Sequence, residues 1–375
     1  MINVTKILKR AWHILWNYRM LWVFGFILAL TIGGNSFNGN RGGGSSSTSN
    51  NSQNQPGQHK PFEGWQGPQG NTPKEKLNDG LRQAGAEIQK LQAQYPVEFK
   101  MGIAVGITAL VMIVILSIVG AFLRYVAETA TIRMVNEYEQ SGLKVGFRQG
   151  WKYGWSLTSW RLFLTNFLVH IPVLVLFIIL GLVGWWIIST ALNGVESALI
   201  TSLIAGIGLS FISIIVTVVL MVVLYLLRDF AWRFSVLEDA GVMESLRMAT
   251  ALVKRNWKSA GLMWLVMIGI RIVWGIAFFI LIFPLLIVSI LTAIGGVLVA
   301  VVPTLLTAGI ASLLSAPNYW PWIFALVIGF PLFAIVAFSP IIFVNGWGLT
   351  YESSVWTLTY RELKALETVT PAVIQ

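Results

Sequence analysis

The chain has 375 residues, 56% of them hydrophobic and only 11% charged, with a mean hydropathy of +0.72. A soluble globule carries charge on about a quarter of its residues, so this composition excludes one and specifies an all-α multi-pass membrane protein. The absence of cysteine excludes disulfides, thiol catalysis and cysteine-held metal, and the net charge of +10 sits in short segments beside apolar runs, which points to anionic headgroups and topology, not to nucleic acid.

Residues 1–34 read as an interfacial helix followed by span 1. Val4, Ile7, Leu8, Ala11, Trp12 and Leu15 recur at steps of three and four, opposite Lys6, Lys9, Arg10, His13 and Asn17, which is the pattern of an amphipathic helix. The apolar run from Met20 has basic residues before it but no small-x-small cleavage site after Leu30, so it is expected as an uncleaved span rather than a signal peptide. Residues 35–98 form an extracytoplasmic loop. Its first part is rich in Gly, Ser, Asn and Gln, too polar to offset the entropy of ordering; Lys74 to Tyr95 recovers helical periodicity through Leu77, Leu81, Ala84, Ile88 and Leu91.

Residues 99–140 hold span 2, from Met101 to Leu123, and its cytoplasmic extension. Residues 141–228 repeat the opening plan. Phe147, Trp151, Trp155, Thr158 and Leu162 line one side of a second interfacial helix, opposite Arg148, Lys152, Ser156 and Ser159; spans 3 (162–188) and 4 (198–227) follow, joined by a turn whose only charge is Glu196. Residues 229–350 begin with a third such helix, in which Val242, Leu246, Ala249, Val253 and Trp257 oppose Glu244, Arg247, Thr250, Lys254 and Lys258. Spans 5 and 6 come next, with residues 284–318 forming a re-entrant hairpin or two further spans. Residues 351–375 are a cytoplasmic tail.

The spacing therefore predicts about six transmembrane helices, or up to eight, arranged as three helical hairpins, each preceded by a cytoplasmic interfacial amphipathic helix. Residues 1–19, 124–161 and 228–258 are basic, whereas the 189–197 turn has neither Lys nor Arg. Both termini are accordingly expected in the cytoplasm, with the plasma (inner) membrane as the site.

The third amphipathic helix carries a resemblance. Glu238-x2-Gly241-x2-Glu244-Ser245-Leu246-Arg247-x-Ala249-x2-Leu252-Val253-Lys254-x-Asn256-Trp257 resembles the recurring helix of bacterial membrane domains of the glycerophosphoryl diester phosphodiesterase membrane-domain family and related uncharacterised families. The resemblance implies a helical plasma-membrane domain of unknown function. In such proteins the phosphodiesterase chemistry belongs to a separate barrel, for which this chain has neither the length outside its spans nor the acidic and histidine pattern.

Two residues stand out as candidates for a polar site inside the membrane. Arg271, about twelve residues into span 5, would lie roughly 18 Å deep, near the middle of a core about 30 Å thick; it either serves a site or pairs with carbonyls freed by Pro172 or Pro331. His170, roughly 12 Å in, either relays a proton or bonds across helices. Glu128, Glu137, Glu139, Glu238 and Glu244 are expected to bridge along their helices to Arg124, Arg133 or Arg247.

Candidate headgroup contacts are Arg148, Lys152, Arg161, Arg247, Lys254, Arg255 and Lys258. No catalytic residue, metal site or cofactor is expected, since no Walker loop, dinucleotide fingerprint, HExxH or GxSxG is present. Two functions remain open, with an embedded hydrolase a distant third. One is a non-enzymatic protein that organises anionic lipid, a partner protein or further copies of itself. The other is a permease for an anionic solute or lipid headgroup, with Arg271 and His170 near the path.

Overall fold

Every element of the computed structural model, which describes residues 2–32, 73–94, 96–192, 196–313 and 325–369, is helical. In chain order the helices are α1 (Val4–Asn17), α2 (Met20–Ile32), α3 (Pro73–Gln94), α4 (Pro96–Ser141), α5 (Phe147–Gly154), α6 (Leu157–Leu192), α7 (Glu196–Leu237), α8 (Val242–Arg255) and α9 (Trp257–Leu313). A π-helical turn (Ala325–Gly329), α10 (Phe330–Ala337) and α11 (Ser339–Val369) complete the order. Four of them, α4, α6, α7 and α9, are long and apolar enough to cross a membrane. The number rises to six if two bent pairs, α1 with α2 at 99° and α10 with α11 at 65°, each count as one span. The protein is thus an all-helical, membrane-embedded one with four to six spans.

The expected Lys74–Tyr95 helix is present as α3, while the loop from 35 to 72 lies outside the described residues. The expected hairpin or extra pair of spans at 284–318 is not found: α9 continues unbroken to Leu313 through Pro284 and Pro303. Each proline removes one backbone donor, but lipid offers the freed carbonyl's neighbours no alternative partners, so the helix persists. The remainder of that segment, 314–318, lies outside the described residues.

The long helices are divided by a seam. On α4 and α7 the large apolar side chains from Ile103 to Phe122 and from Ile204 to Val223 are mostly exposed, whereas those from Tyr125 and Leu226 onward are mostly buried. Each exposed stretch is roughly 20 residues, or about 30 Å, the thickness of a bilayer's hydrocarbon core. Beyond the seam the helices become a close-packed bundle. Its core joins Ile7, Ala11 and Ile14 of α1, Leu21, Phe24 and Leu28 of α2, Ala127 and Met134 of α4, Phe230 and Phe234 of α7, Leu252 of α8, Met263 of α9, and Trp356 and Leu363 of α11.

That packing corrects the reading of the amphipathic helices. The apolar stripes of α1 and α8 face the bundle, where Ile7, Ala11, Ile14, Ala249 and Leu252 are buried, and so are not free to enter lipid. The second such helix also differs: it stops at Gly154, and its buried positions are Gly150 and Gly154, pressed on Met134, Phe24 and Val126. Phe147, Trp151 and Trp155 instead form an aromatic ladder outside, with successive ring centroids 5.8 and 5.9 Å apart.

Short connections hold these helices in place. Asn3 caps α1 by accepting from the Lys6 amide at 3.1 Å. Tyr18, between α1 and α2, donates to the Val145 carbonyl at 2.7 Å, and burial pushes its phenol well up, so it remains a neutral donor. Asp239, between α7 and α8, adopts a positive φ of 51°, stabilised because Arg133 binds its carboxylate at 2.8 Å and Arg161 its carbonyl at 2.6 Å.

Helices α2 and α11 cross at very close range. A Cβ on Gly25 would lie 2.6 Å from the Gly346 carbonyl oxygen, and one on Gly346 would lie 2.6 Å from the Gly25 carbonyl carbon. Only paired glycines allow such an approach. Gly25→Val should therefore lower stability by about 1–3 kcal/mol or more, while Gly261→Ala, with open space around its Cβ, should be neutral or raise it by about 0.5–1 kcal/mol. Thermal unfolding in one detergent checks the contrast.

Candidate functional site

The seam carries the charge. Arg124 and Glu128 lie one helical turn apart on α4; Tyr225, Arg228, Asp229 and Arg233 follow one another at steps of three, one and four on α7; Arg271 comes from α9 and Glu352 from α11. Helical periodicity alone puts each set on one side of its helix, and packing then turns these sides together.

Arg271 does not pair with carbonyls freed by a proline. Its Nη2 donates to both Glu352 Oε1 and the Tyr225 hydroxyl, Tyr225 donates to Glu352 Oε1 at 2.7 Å, and the guanidinium stands 4.9 Å from the Tyr225 ring centroid. Arg228 is 4.8 Å from the same centroid and 3.0 Å from Asp229 Oδ1. A second interhelical pair lies deeper. Arg233, 2% exposed, reaches within 3.7 Å of Glu128, which also accepts from Ser353 at 2.8 Å.

The geometry places Arg271 and corrects the expected pairing of the acidic residues. Arg271 stands at the seam, level with Arg228 and Glu352, because the first turns of α9 belong to the bundle and contribute Ala260, Met263 and Met267 to its core. Nor do the acidic residues pair along their own helices. Glu128 pairs with Arg233 of α7, Glu139 with Arg10 of α1, and Glu238 with Lys364 and Tyr360 of α11, whereas Arg133 goes to Asp239. Glu244 accepts from the Gly241 amide at the start of α8 at 3.4 Å, a capping role.

His170 is not part of this cluster. It is exposed on α6, its Nδ1 2.6 Å from the Asn166 carbonyl of its own helix, and α6 packs chiefly on α7, α4 and α8 while Arg271 looks toward α7 and α11.

A cavity of about 520 Å³ opens beside the Arg271–Glu352 pair. Trp12 of α1, Val266, Ile270, Val273, Trp274 and Ala277 of α9, and Gly348 and Tyr351 of α11 form its walls. Such a space, apolar except for the charged pair, is of the size and character of a small-molecule site.

The remaining predicted cations are distributed over the bundle's exterior. Arg148, Lys152, Arg247, Lys254, Arg255 and Lys258 are exposed. Arg255 lies 3.2 Å from Glu367 and Lys258 5.8 Å from the Trp257 ring centroid. Arg161 is only half-exposed and is committed to Asp239, so it holds the α7–α8 link rather than standing free for a headgroup. Among the described residues, no three His, Asp or Glu side chains converge as a metal-binding group.

Sequence reading missed Glu352, Tyr225, Asp229 and Arg233. The signal available was the four-residue spacing of Tyr225, Asp229 and Arg233 beside that of Arg124 and Glu128; an isolated intramembrane arginine also requires a carboxylate, and Glu352 is the next charge along the chain.

A family model described as a family of unknown function, DUF7544, matches residues 8–355. No curated protein and no solved structure matches the chain. The match provides no link to the glycerophosphoryl diester phosphodiesterase membrane domain that the α8 sequence resembles.

Because the Arg233–Glu128 pair is buried, removing one member strands the other. Arg233→Met alone should destabilise the protein by about 3–5 kcal/mol, and Arg233→Met with Glu128→Leu should recover most of that loss. A double-mutant cycle of unfolding free energies in fixed detergent measures the coupling.

Proposed function

The chain belongs to the DUF7544 family, and we propose from its geometry that it is a non-enzymatic plasma-membrane protein that gathers anionic lipid, or a lipid-bound partner, on its cytoplasmic side. The observation that carries this reading is the outward arrangement of Arg148, Lys152, Arg247, Lys254, Arg255 and Lys258 on helices whose inner faces are already occupied by the bundle. Each cation near an anionic leaflet contributes about 1 kcal/mol, so the set supplies an appreciable attraction without any buried catalytic group. Aromatic residues beside them, Phe147, Trp151, Trp155 and Trp257, suit headgroup depth.

In this proposal both termini and the whole bundle are cytoplasmic, and three helical hairpins make up the embedded part. The packing of α2 on α4, of α6 on α7, and of α9 on α10 and α11 supports that arrangement. A distant relation to the phosphodiesterase-associated membrane domains belongs to the same proposal, on the strength of the α8 sequence. The permease alternative has less behind it, because it needs Arg271 and His170 on one path and they face different neighbours.

Neutralising Lys254, Arg255 and Lys258 to Gln should weaken retention on phosphatidylglycerol vesicles roughly a hundredfold, as the loss of about 1 kcal/mol per cation implies, with little change on neutral vesicles. Equal retention on both would contradict the reading. Cysteines placed at 144 and 254, in a chain with no native cysteine, should be labelled from the same side of the membrane.

A further inference from the structure

We propose that the cavity between α1, α9 and α11 binds one anionic phospholipid, its phosphate on Arg271 and an acyl chain along the apolar wall. The inference deepens the lipid-gathering reading by assigning a single internal site, distinct from the exposed cations, and it rests on that reading only for the expectation of an acidic lipid.

The guanidinium is incompletely used. All of its hydrogen bonds run through Nη2, to Glu352 and Tyr225. Its Nε is buried with no partner. Nη1 makes no hydrogen bond and is not among the sealed polar atoms, so its N–H groups open outward from the pair. The Arg271 side chain is 28% exposed and that of Glu352 21% exposed, and both line the cavity. An open ion pair within an otherwise apolar pocket is poorly solvated unless a polar group covers it. A phosphate does so well, since a guanidinium presents donors in the fork that matches phosphate oxygens.

The walls select the remainder of the ligand. Val273, Trp274 and Ala277 continue the cavity's apolar wall along α9 beyond Arg271, with Val266 and Ile270 on its other side, and Val273 is 67% exposed. The seam places this wall at the edge of the hydrocarbon layer, so a membrane phospholipid reaches it without leaving the leaflet. Glu352 competes with the phosphate for Arg271 but engages only Nη2, which leaves Nη1 for the ligand; Tyr351, whose hydroxyl donates to the Leu8 carbonyl at 3.5 Å, also lines the cavity.

Native mass spectrometry of the full chain, released from nanodiscs containing phosphatidylglycerol, should show one retained lipid. Arg271→Gln should reduce that occupancy about tenfold, and Arg271→Lys should restore part of it. Gly269→Phe fills the cavity from a position whose Cβ has open space; it should displace the lipid with no loss of thermal stability. Glu352→Gln removes the competing carboxylate and should leave occupancy equal or higher. The proposal is overturned if Arg271→Gln and Gly269→Phe retain phosphatidylglycerol as the parent chain does, if diacylglycerol is held equally well, or if a fatty acid outcompetes phosphatidylglycerol. The surface variant with Lys254, Arg255 and Lys258 changed to Gln should keep this one lipid, so failure of the internal site and failure of the surface reading remain separable.

Discussion

Ion pairs that run between helices, Arg271 with Glu352 and Arg233 with Glu128, fix how the long helices of this protein meet. Each charge costs several kcal/mol to take out of water, and the cost is met only where the opposite charge and its hydrogen-bond partners are already in position. Tyr225 and Ser353 supply those partners. Because the four charges come from α4, α7, α9 and α11, a slide of any one helix by a single residue would strand them, so the pairs set register as well as contact.

From that register follow the two surfaces that matter. Above the charged layer the helices present apolar side chains to their surroundings, and lipid packs there as readily as protein does. Below it, the same helices close on one another around Phe230, Met134 and Trp356, and α1, α5 and α8 are drawn in by their apolar or glycine faces. Their cations are left outside as a consequence of that packing. The cavity by Arg271 forms where α1, crossing toward α11, does not fill the last space beside α9.

Helical class, membrane embedding and the position of most helices were legible because apolar run length is a strong signal in lipid. Periodicity also identified α1, α5 and α8 as two-sided. It could not say what the apolar side touches. A stripe such as Ile7, Ala11 and Ile14 reads the same whether it meets a bilayer or a neighbouring helix, and here it is buried in the bundle, where α1 packs on α11. Arg271 is conspicuous in the sequence as an isolated charge in an apolar run, but the run does not show that Ala260, Met263 and Met267 before it pack into the bundle. Glu352 was hidden by its position in an apparent tail, although the charge pattern implied a partner. The glycine contact between α2 and α11 was not legible, since Gly25 and Gly346 look like many other glycines until two backbones are brought together.

The charged layer is expected to mark one edge of the hydrocarbon, and depth profiling along α9 tests that most directly. Single cysteines from Leu262 to Ile287, spin-labelled in bilayers and read for oxygen against a water-soluble nickel chelate, report local depth. With Arg271 at the edge, the oxygen preference should peak about ten residues farther on, half a bilayer at 1.5 Å per residue, near Leu281 and Phe283, and the nickel preference should dominate by Leu262. A peak centred on Arg271 itself would place that residue at midplane and contradict the account.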